Sequence, residues 1–476
     1  MQFRQRVKAM VYGVALALGG VPLSATAGLD FQNSRCSTPG QQIGTLPNSN
    51  NRVMVYTYHN DYLISHDWGT GVMKSYDLTD PTNPKQVGGD RNPGNAGHHH
   101  FMGVGNIIGF NWAGVNQTRL DDVPYFDRDS IVDGTDEAFM VGDASRGHHS
   151  EQIAFFPYGF GSVPTAYEFD NKPVVTIHDL SKPGNPIVGE VNVQRDLGFQ
   201  GRVNMMGNLL IVRGDNLTGY GVGVYDISDP ANPVLLDKIR NRSYPFGGQW
   251  ALGRAYDTMP MYKNYIVNAM NGDTGFQRAV DIIDYSDPTN LRHVSSAEYD
   301  GPSLRYPNFK DDHMYVGEAK VDMRTFEQTL HFPWAYGEYL MPIGNLLVAA
   351  GQYRMNTARV YCNEAEPDTR APEVGWTNPR PNATNLHVKS RVGVLIHETL
   401  DINTINETNF QIRTSSGEVV PAHVSWWSNQ TINVTPKSPL QPNSTYQFFM
   451  RAGGVKDIAG NALESDYSFY FSTGDQ

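Results

Sequence analysis

The chain has 476 residues, 39% of them apolar and 11% aromatic, with 47 Gly and 29 Pro. That length suits two or three domains rather than one, and ample apolar residues with so many turn formers make an all-β composition. A net charge of -12 argues against nucleic acid, whose binding needs clustered Lys and Arg to displace counterions, and leaves a neutral or cationic partner or a metal ion easier to accommodate.

At the N-terminus Arg4, Arg6 and Lys8 precede an apolar run from Ala9 to Leu23, and Ala25-Thr26-Ala27 places small residues where a signal peptidase reads. This predicts a secretory signal over residues 1–27, cut before Gly28. No later stretch approaches the run of about 18 apolar residues that spans a membrane. The mature protein is therefore expected to be soluble and exported, either secreted or at the cell surface, with no transmembrane segment. Only two cysteines are present, Cys36 and Cys362. In an oxidising compartment they read as a disulfide, two unrelated buried thiols being the alternative. Such a bond would join the two ends of a large unit and contribute about 5 kcal/mol by loop closure.

One phrase recurs along the chain. It stands as Tyr76-Asp77-Leu78-Thr79-Asp80-Pro81-Thr82-Asn83-Pro84, as His178-Asp179-Leu180-Ser181-Lys182-Pro183-Gly184-Asn185-Pro186, as Val224-Tyr225-Asp226-Ile227-Ser228-Asp229-Pro230-Ala231-Asn232-Pro233 and as Ile283-Asp284-Tyr285-Ser286-Asp287-Pro288-Thr289-Asn290-Leu291. Each copy combines a β-rich run, an Asp able to satisfy nearby backbone N–H groups, and a Pro whose φ suits a tight turn. The phrase predicts strand, corner, strand. A second series, in which a short turn precedes an apolar strand, appears at Asn60-Asp61, Gly105-Asn106, Gly207-Asn208, Lys263-Asn264, Asp311-Asp312 and Gly344-Asn345. These read as hairpins whose turn residues tolerate positive φ.

Phe155-Phe156-Pro157-Tyr158-Gly159 sits in the middle of the one double gap, and counting it gives about seven hairpins spaced about 47 residues apart. That unit fits one four-stranded blade, so residues 28–370 are expected to form a β-propeller of about seven blades. Cys36 and Cys362 then fall at the two edges that must meet when the ring closes, which removes exposed sheet edges. Residues 112–150, with Asp121, Asp122, Asp127, Asp129, Asp133, Asp136, Glu137 and Asp143 and little periodicity, are expected to be an inserted loop. Residues 363–375 read as a linker.

From about Ala371 the pattern changes to short alternating strands, Val392–Ile396, Phe410–Ile412, Val424–Trp426, Thr431–Val434, Tyr446–Met450 and Tyr467–Phe471. Residues 371–476 are expected to form a separate immunoglobulin-like β-sandwich.

The repeated phrase resembles the LVIVD-type repeat of secreted bacterial β-propellers. In the tail, Asn378-Pro379-Arg380-Pro381-Asn382-Ala383-Thr384-Asn385, Thr435-Pro436-Lys437-Ser438-Pro439-Leu440, Ser444-Thr445-Tyr446 and Val455-Lys456-Asp457-Ile458-Ala459-Gly460-Asn461-Ala462-Leu463 resemble the bacterial Ig-like domain first described in S-layer proteins. These resemblances imply an extracellular or surface-associated protein and fix no single activity.

Aligning the hairpins puts His100, Arg202, Thr258, Tyr306 and Tyr339 in one column of the preceding, inner strand, with His98, Gln200, Tyr256 and Leu304 two residues earlier and so on the same face. A register error of one residue would instead bring in His99 and Arg305. The column suggests a polar pocket for an anionic or hydroxyl-rich ligand such as a polysaccharide. A His or Tyr there could take a proton α to a carboxylate while Arg202 and Gln200 neutralise it, as uronate β-elimination requires. The arrangement resembles that of ulvan-type polysaccharide lyases, which are propellers that use His, Tyr and Arg. The competing reading is a polar, wet channel without chemistry.

His98-His99-His100 and His148-His149 invite zinc or copper, although neighbours on a strand face opposite ways, so at most two of the triple could serve one ion. Asp127, Asp129, Asp133 and Gly134 half resemble a calcium loop, against which stands a solvated acidic loop. The cofactor is left unknown, a structural divalent metal, calcium or zinc, being the candidate. No GxSxG elbow, nucleotide-binding glycine motif or haem-attachment signature appears. Two functions follow, a secreted or surface ligand-binding or adhesion protein with the Ig-like domain as spacer or attachment module, and a secreted polysaccharide lyase with His100, Arg202, Tyr306, His98 and Gln200 at the chemistry, and Tyr256, Tyr339 and His149 binding ligand.

Overall fold

The computed structural model describes residues 36–49, 53–59, 62–67, 72–91, 101–104, 107–111, 115–119, 174–178, 187–197, 200–216, 219–240, 261–271, 278–301, 304, 307–332, 339–350, 357–427 and 430–476. Strand β1 (Gln42–Thr45) precedes a four-stranded antiparallel meander, β2 (Val53–His59), β3 (Tyr62–Asp67), β4 (Met73–Asp77) and β5 (Lys85–Arg91). Next come β6 (Phe101–Val104), β7 (Ile107–Asn111) and β8 (Val115–Arg119), paired in order, and the pair β9 (Val174–His178) and β10 (Ile187–Asn192). A short helix, α1 (Val193–Leu197), leads into the meander β11 (Gln200–Met206), β12 (Leu209–Asn216), β13 (Gly219–Asp226) and β14 (Val234–Arg240). Two more follow, β15 (Met261–Tyr262), β16 (Tyr265–Asn271), β17 (Arg278–Asp284) and β18 (Arg292–Glu298), then β19 (Asn308–Lys310), β20 (His313–Val316), β21 (Ala319–Asp322) and β22 (Glu327–His331). The last sheet has β23 (Tyr339–Ile343), β24 (Leu346–Ala350) and β25 (Arg359–Cys362), and β1 supplies its fourth strand beside β25.

Apolar faces of successive sheets pack on one another. Ile211 and Val224 meet Ile266 and Ile283, Val267 and Val280 meet Met314 and Val321, and Tyr315 and Phe332 meet Leu340 and Leu347. The last sheet then packs on the first, Leu346 and Val360 lying with Leu63 and Tyr76. Four-stranded antiparallel sheets stacked face to face in this way are the blades of an all-β propeller. Five blades are complete among the described residues; in chain order β6–β8 and β9–β10 come between the β2–β5 and β11–β14 blades. Closure is made by the chain's own start. Gln42 stands opposite Tyr361, the Gly40 N–H donates to the Cys362 carbonyl at 2.7 Å, and Cys36 is disulfide-bonded to Cys362.

In the copies starting at Tyr76, Val224 and Ile283 the repeated phrase joins the third strand of a blade to its fourth, and its aspartates do turn chemistry; the copy at His178 lies largely outside the described residues. Asp226 Oδ1 accepts the Ser228 N–H at 2.7 Å and Asp229 Oδ1 that of Ala231 at 3.2 Å; Asp284 and Asp287 repeat this with Ser286 and Thr289. Four turns of the hairpin series form as expected, with positive φ at Gly207, Lys263, Asp311 and Gly344, while Asn60-Asp61, Gly105-Asn106 and Phe155-Phe156-Pro157-Tyr158-Gly159 lie outside the described residues. Each hairpin is tied to the corner after its blade's third strand. The carbonyls of Asn208, Asn264, Asp312 and Asn345 accept the N–H of Ile227, Tyr285, Met323 and Asn363, each at 2.8 Å. Hairpins and corners therefore share one side of the ring, called the turn side below.

The C-terminal region is a β-sandwich of β26 (Val374–Asn378), β27 (Val392–Ile396), β28 (Phe410–Thr414), β29 (Val419–Val420), β30 (Ala422–Trp427), β31 (Thr431–Pro436), β32 (Thr445–Met450) and β33 (Tyr467–Ser472). One sheet runs β29-β28-β32-β33; the other, β26-β27-β31-β30, continues directly into β6-β7-β8. All six strands expected here are present, with β26 and β29 added at the edges. Strand β27 is buried at every position, because both its faces are covered. Val392, Val394 and Ile396 point into the sandwich core, while Leu395 packs with Met206 and Ile283 of the propeller.

Candidate functional site

The sandwich is seated on the turn side of the propeller. Gly207 N–H donates to Asn433 Oδ1 and Asn208 N–H to Asn378 Oδ1, both at 2.7 Å, so the hairpin β11–β12 is capped by side chains of β31 and β26. Arg391, fully buried, gives its backbone N–H to Asn208 Oδ1 at 3.0 Å and its guanidinium to the Ile227 carbonyl at 3.2 Å, inside the repeated phrase. Trp376 lies between Tyr285, tilted to it at 5.1 Å between centroids, and the Arg380 guanidinium, 3.9 Å from its ring. Farther round, Gln430 Nε2 donates to the Phe309 carbonyl at 2.9 Å. Strand β30 pairs antiparallel with β6 through Ser425↔Val104, Trp426↔Gly103 and Trp427↔Met102.

The chain leaves the last blade through a charged segment of this junction. Buried Lys310 lies 3.1 Å from Asp368, 2.9 Å from Asp311 and 3.5 Å from Glu364, and Lys320 holds Glu364 at 2.9 Å. Burial alone would lower Lys310, but Glu364, Asp311 and Asp368 outweigh it and keep the ammonium charged well above its usual range. Beyond Lys310 the carboxylates of Asp368, Glu398 and Asp457 converge, one oxygen of each lying within 4.8 Å of the others. They come from the linker before β26, the end of β27, and the β32–β33 connection. Exposure is 4%, 4% and 1% respectively.

Asp457 is fixed by Asn461, whose N–H and side-chain amide donate to its two oxygens at 2.8 and 2.9 Å, and the same amide reaches the Asp368 carbonyl at 3.1 Å. Glu398 has no hydrogen bond or ion pair to its carboxylate among the described residues. Burial raises Glu398 well above the usual carboxylate range, with repulsion from Asp457, Asp311 and Asp368 adding to it; burial also raises Asp457, with Asp368 adding to it. Three buried carboxylates that repel one another are an arrangement that a cation or protons must balance.

Residues 368–473 match the family model described as the bacterial Ig-like domain. The match starts at Asp368, the first of the three carboxylates. No curated protein matches the chain. Among solved structures it is similar to a hypothetical selenium-binding protein from Sulfolobus tokodaii, at 13% identity and TM-score 0.27 over 54% of this chain and 76% of that one. It is also similar to apo AztD from Citrobacter koseri, at 13% identity and TM-score 0.27 over 82% and 90%. A third similarity is to prolyl oligopeptidase B from Galerina marginata, at 10% identity and TM-score 0.30 over 79% of this chain and 55% of that one. An Ig-like domain of this bacterial type and a disulfide suit an extracellular or surface protein. Among the described residues no helix is long and apolar enough to cross a membrane.

Of the candidate site residues singled out in the sequence, Gln200, Arg202 and Tyr339 lie among the described residues. Gln200 and Arg202 lie on β11, at the end of the strand away from Gly207. Arg202 stands opposite Arg213 and Tyr339 opposite Ala350, each the fifth pair counted from its hairpin, so these two share the register position that the alignment assigned. His98, His99, His100, His148, His149, Asp127, Asp129, Asp133, Tyr256 and Tyr306 lie outside the described residues, as does the expected signal over 1–27. Asp368, Glu398 and Asp457 were missed as a group. Asp457 sits inside the motif Val455–Leu463 and Asp368 inside the linker, but nothing in their spacing announces that they meet.

Proposed function

We propose that this is a secreted or cell-surface ligand-binding or adhesion protein, in which an LVIVD-like propeller presents its free side and the Ig-like domain serves as a fixed attachment module. One observation carries this reading. The Ig-like domain is seated across the hairpins and corners of the turn side, through Gly207, Asn208, Ile227 and Phe309, and β30 takes the edge of β6. The opposite ends of the inner strands, where Gln200, Arg202 and Tyr339 begin β11 and β23, are directed away from it. His98, His100, Tyr256 and Tyr306 are proposed to join that side, making a polar surface for a polysaccharide or cell-surface glycan. Export through residues 1–27 and division near residue 370 belong to the same proposal.

The test is to screen the purified mature protein against immobilised uronate-containing and neutral polysaccharides, alongside Arg202→Ala and His100→Ala. Binding that both variants weaken at least tenfold is the expected result. Binding by wild type that both variants leave unchanged would remove the proposed surface. Absorbance from a newly formed double bond during incubation would replace the binding reading with elimination at the same residues.

A further inference from the structure

We propose that Asp368, Glu398 and Asp457 form a binding site for one divalent cation of the calcium class, clamping the Ig-like domain where the chain leaves the propeller. Three observations lead there. One oxygen of each carboxylate lies within 4.8 Å of the others. Oxygens in one calcium shell, each about 2.3–2.6 Å from the ion, stand at most about 5 Å apart, so three oxygens this close can share one ion.

The second observation is Glu398 itself. It is 4% exposed, it points into the cluster, and no hydrogen-bond donor among the described residues reaches its carboxylate. A buried carboxylate with no partner in the protein is costly unless something outside the chain completes it. Asp457, by contrast, is already oriented by Asn461, which leaves lone pairs on both oxygens for an ion.

Charge is the third. Lys310, 3.1 Å from Asp368, is shared with Asp311 and Glu364, so the three carboxylates keep a net negative charge that a divalent ion would offset. The ligand set is all oxygen, which suits calcium rather than zinc, whose sites favour His and Cys. The site joins three segments far apart in sequence, so the ion would fasten the linker, the end of β27 and the β32–β33 connection to one another. Binding to the folded chain alone would raise its stability by mass action.

The experiment uses the whole mature protein, stripped with a chelator and titrated with calcium chloride by calorimetry, with thermal unfolding followed in parallel. Wild type should take up calcium and melt several degrees higher with it; Glu398→Gln and Asp457→Asn, which keep side-chain size, should each lose one equivalent and most of the shift. Absence of uptake by the folded wild type overturns the proposal, and so does undiminished uptake in both variants. Should either variant fail to fold, terbium soaked into wild-type crystals decides. Anomalous density among the three carboxylates supports the site, and its absence there refutes it. Neither result bears on the glycan screen, because these residues lie on the turn side.

Discussion

Asp312 reads in the sequence as half of a hairpin turn, and it does close the β19–β20 hairpin. Its side chain does something the turn does not require. The Tyr262 hydroxyl and the Lys263 ammonium donate to one of its oxygens at 2.8 and 2.9 Å, and Arg370 of the Ig-like domain stands 3.6 Å away. Burial alone would raise Asp312, but the bonds from Lys263 and Tyr262 and the nearby cations hold it well below the usual carboxylate range. A carboxylate whose folded value lies below its unfolded one adds stability that is complete above the unfolded value, near 4, and is lost as pH falls through the folded one. Asp312→Asn should therefore cost roughly 1–3 kcal/mol at neutral pH and flatten the loss of stability below about pH 4. Urea denaturation of both proteins at several pH values checks this. Turn propensity was legible at this residue, whereas its ionic partners were not, since Tyr262 and Arg370 come from a different blade and a different domain.

Among the elements, β27 shows most clearly how sequence and packing agree. Val392-Gly393-Val394-Leu395-Ile396 is apolar throughout, without the alternation of a strand that faces water on one side. The sandwich core takes one face and the propeller the other. Gly393 is what lets the propeller come so near. A Cβ there would fall well inside van der Waals distance of the Gly207 amide, and Gly207, itself at φ 59, is hemmed in by Asn378 in the same way. Gly393→Ala should push the Ig-like domain off the β11–β12 hairpin, costing about 1–3 kcal/mol by overpacking. Trp376→Ala, which empties the slot between Tyr285 and Arg380, should cost about 3–5 kcal/mol. Hydrogen exchange would report both, with faster exchange at β26, β27 and the Gly207–Asn208 amides. The strands themselves could be read from alternation and turn residues. The union of β30 with β6 could not, because either edge carries the same backbone donors and acceptors as any other strand edge.

At the scale of the whole molecule, the ring is closed by a strand from its beginning and a disulfide at its seam. Cys36 and Cys362 were expected to pair, and they do. The bond spans 326 residues of sequence, so chain-entropy reasoning assigns it up to about 5–6 kcal/mol. Cys36→Ser should unfold at lower denaturant than wild type, and reductant should bring wild type down to the variant while leaving the variant unmoved. The all-β class, the blade corners with their aspartate turns, the seam and the C-terminal sandwich were determined by the sequence alone, because each rests on local rules of period, turn chemistry and cysteine count. The seating of the Ig-like domain on the turn side, the continuous sheet through β30 and β6, and the meeting of Asp368, Glu398 and Asp457 were decided only by the tertiary structure. Those contacts join segments far apart in the chain, and such pairings depend on how finished elements pack, not on the pattern within any one of them.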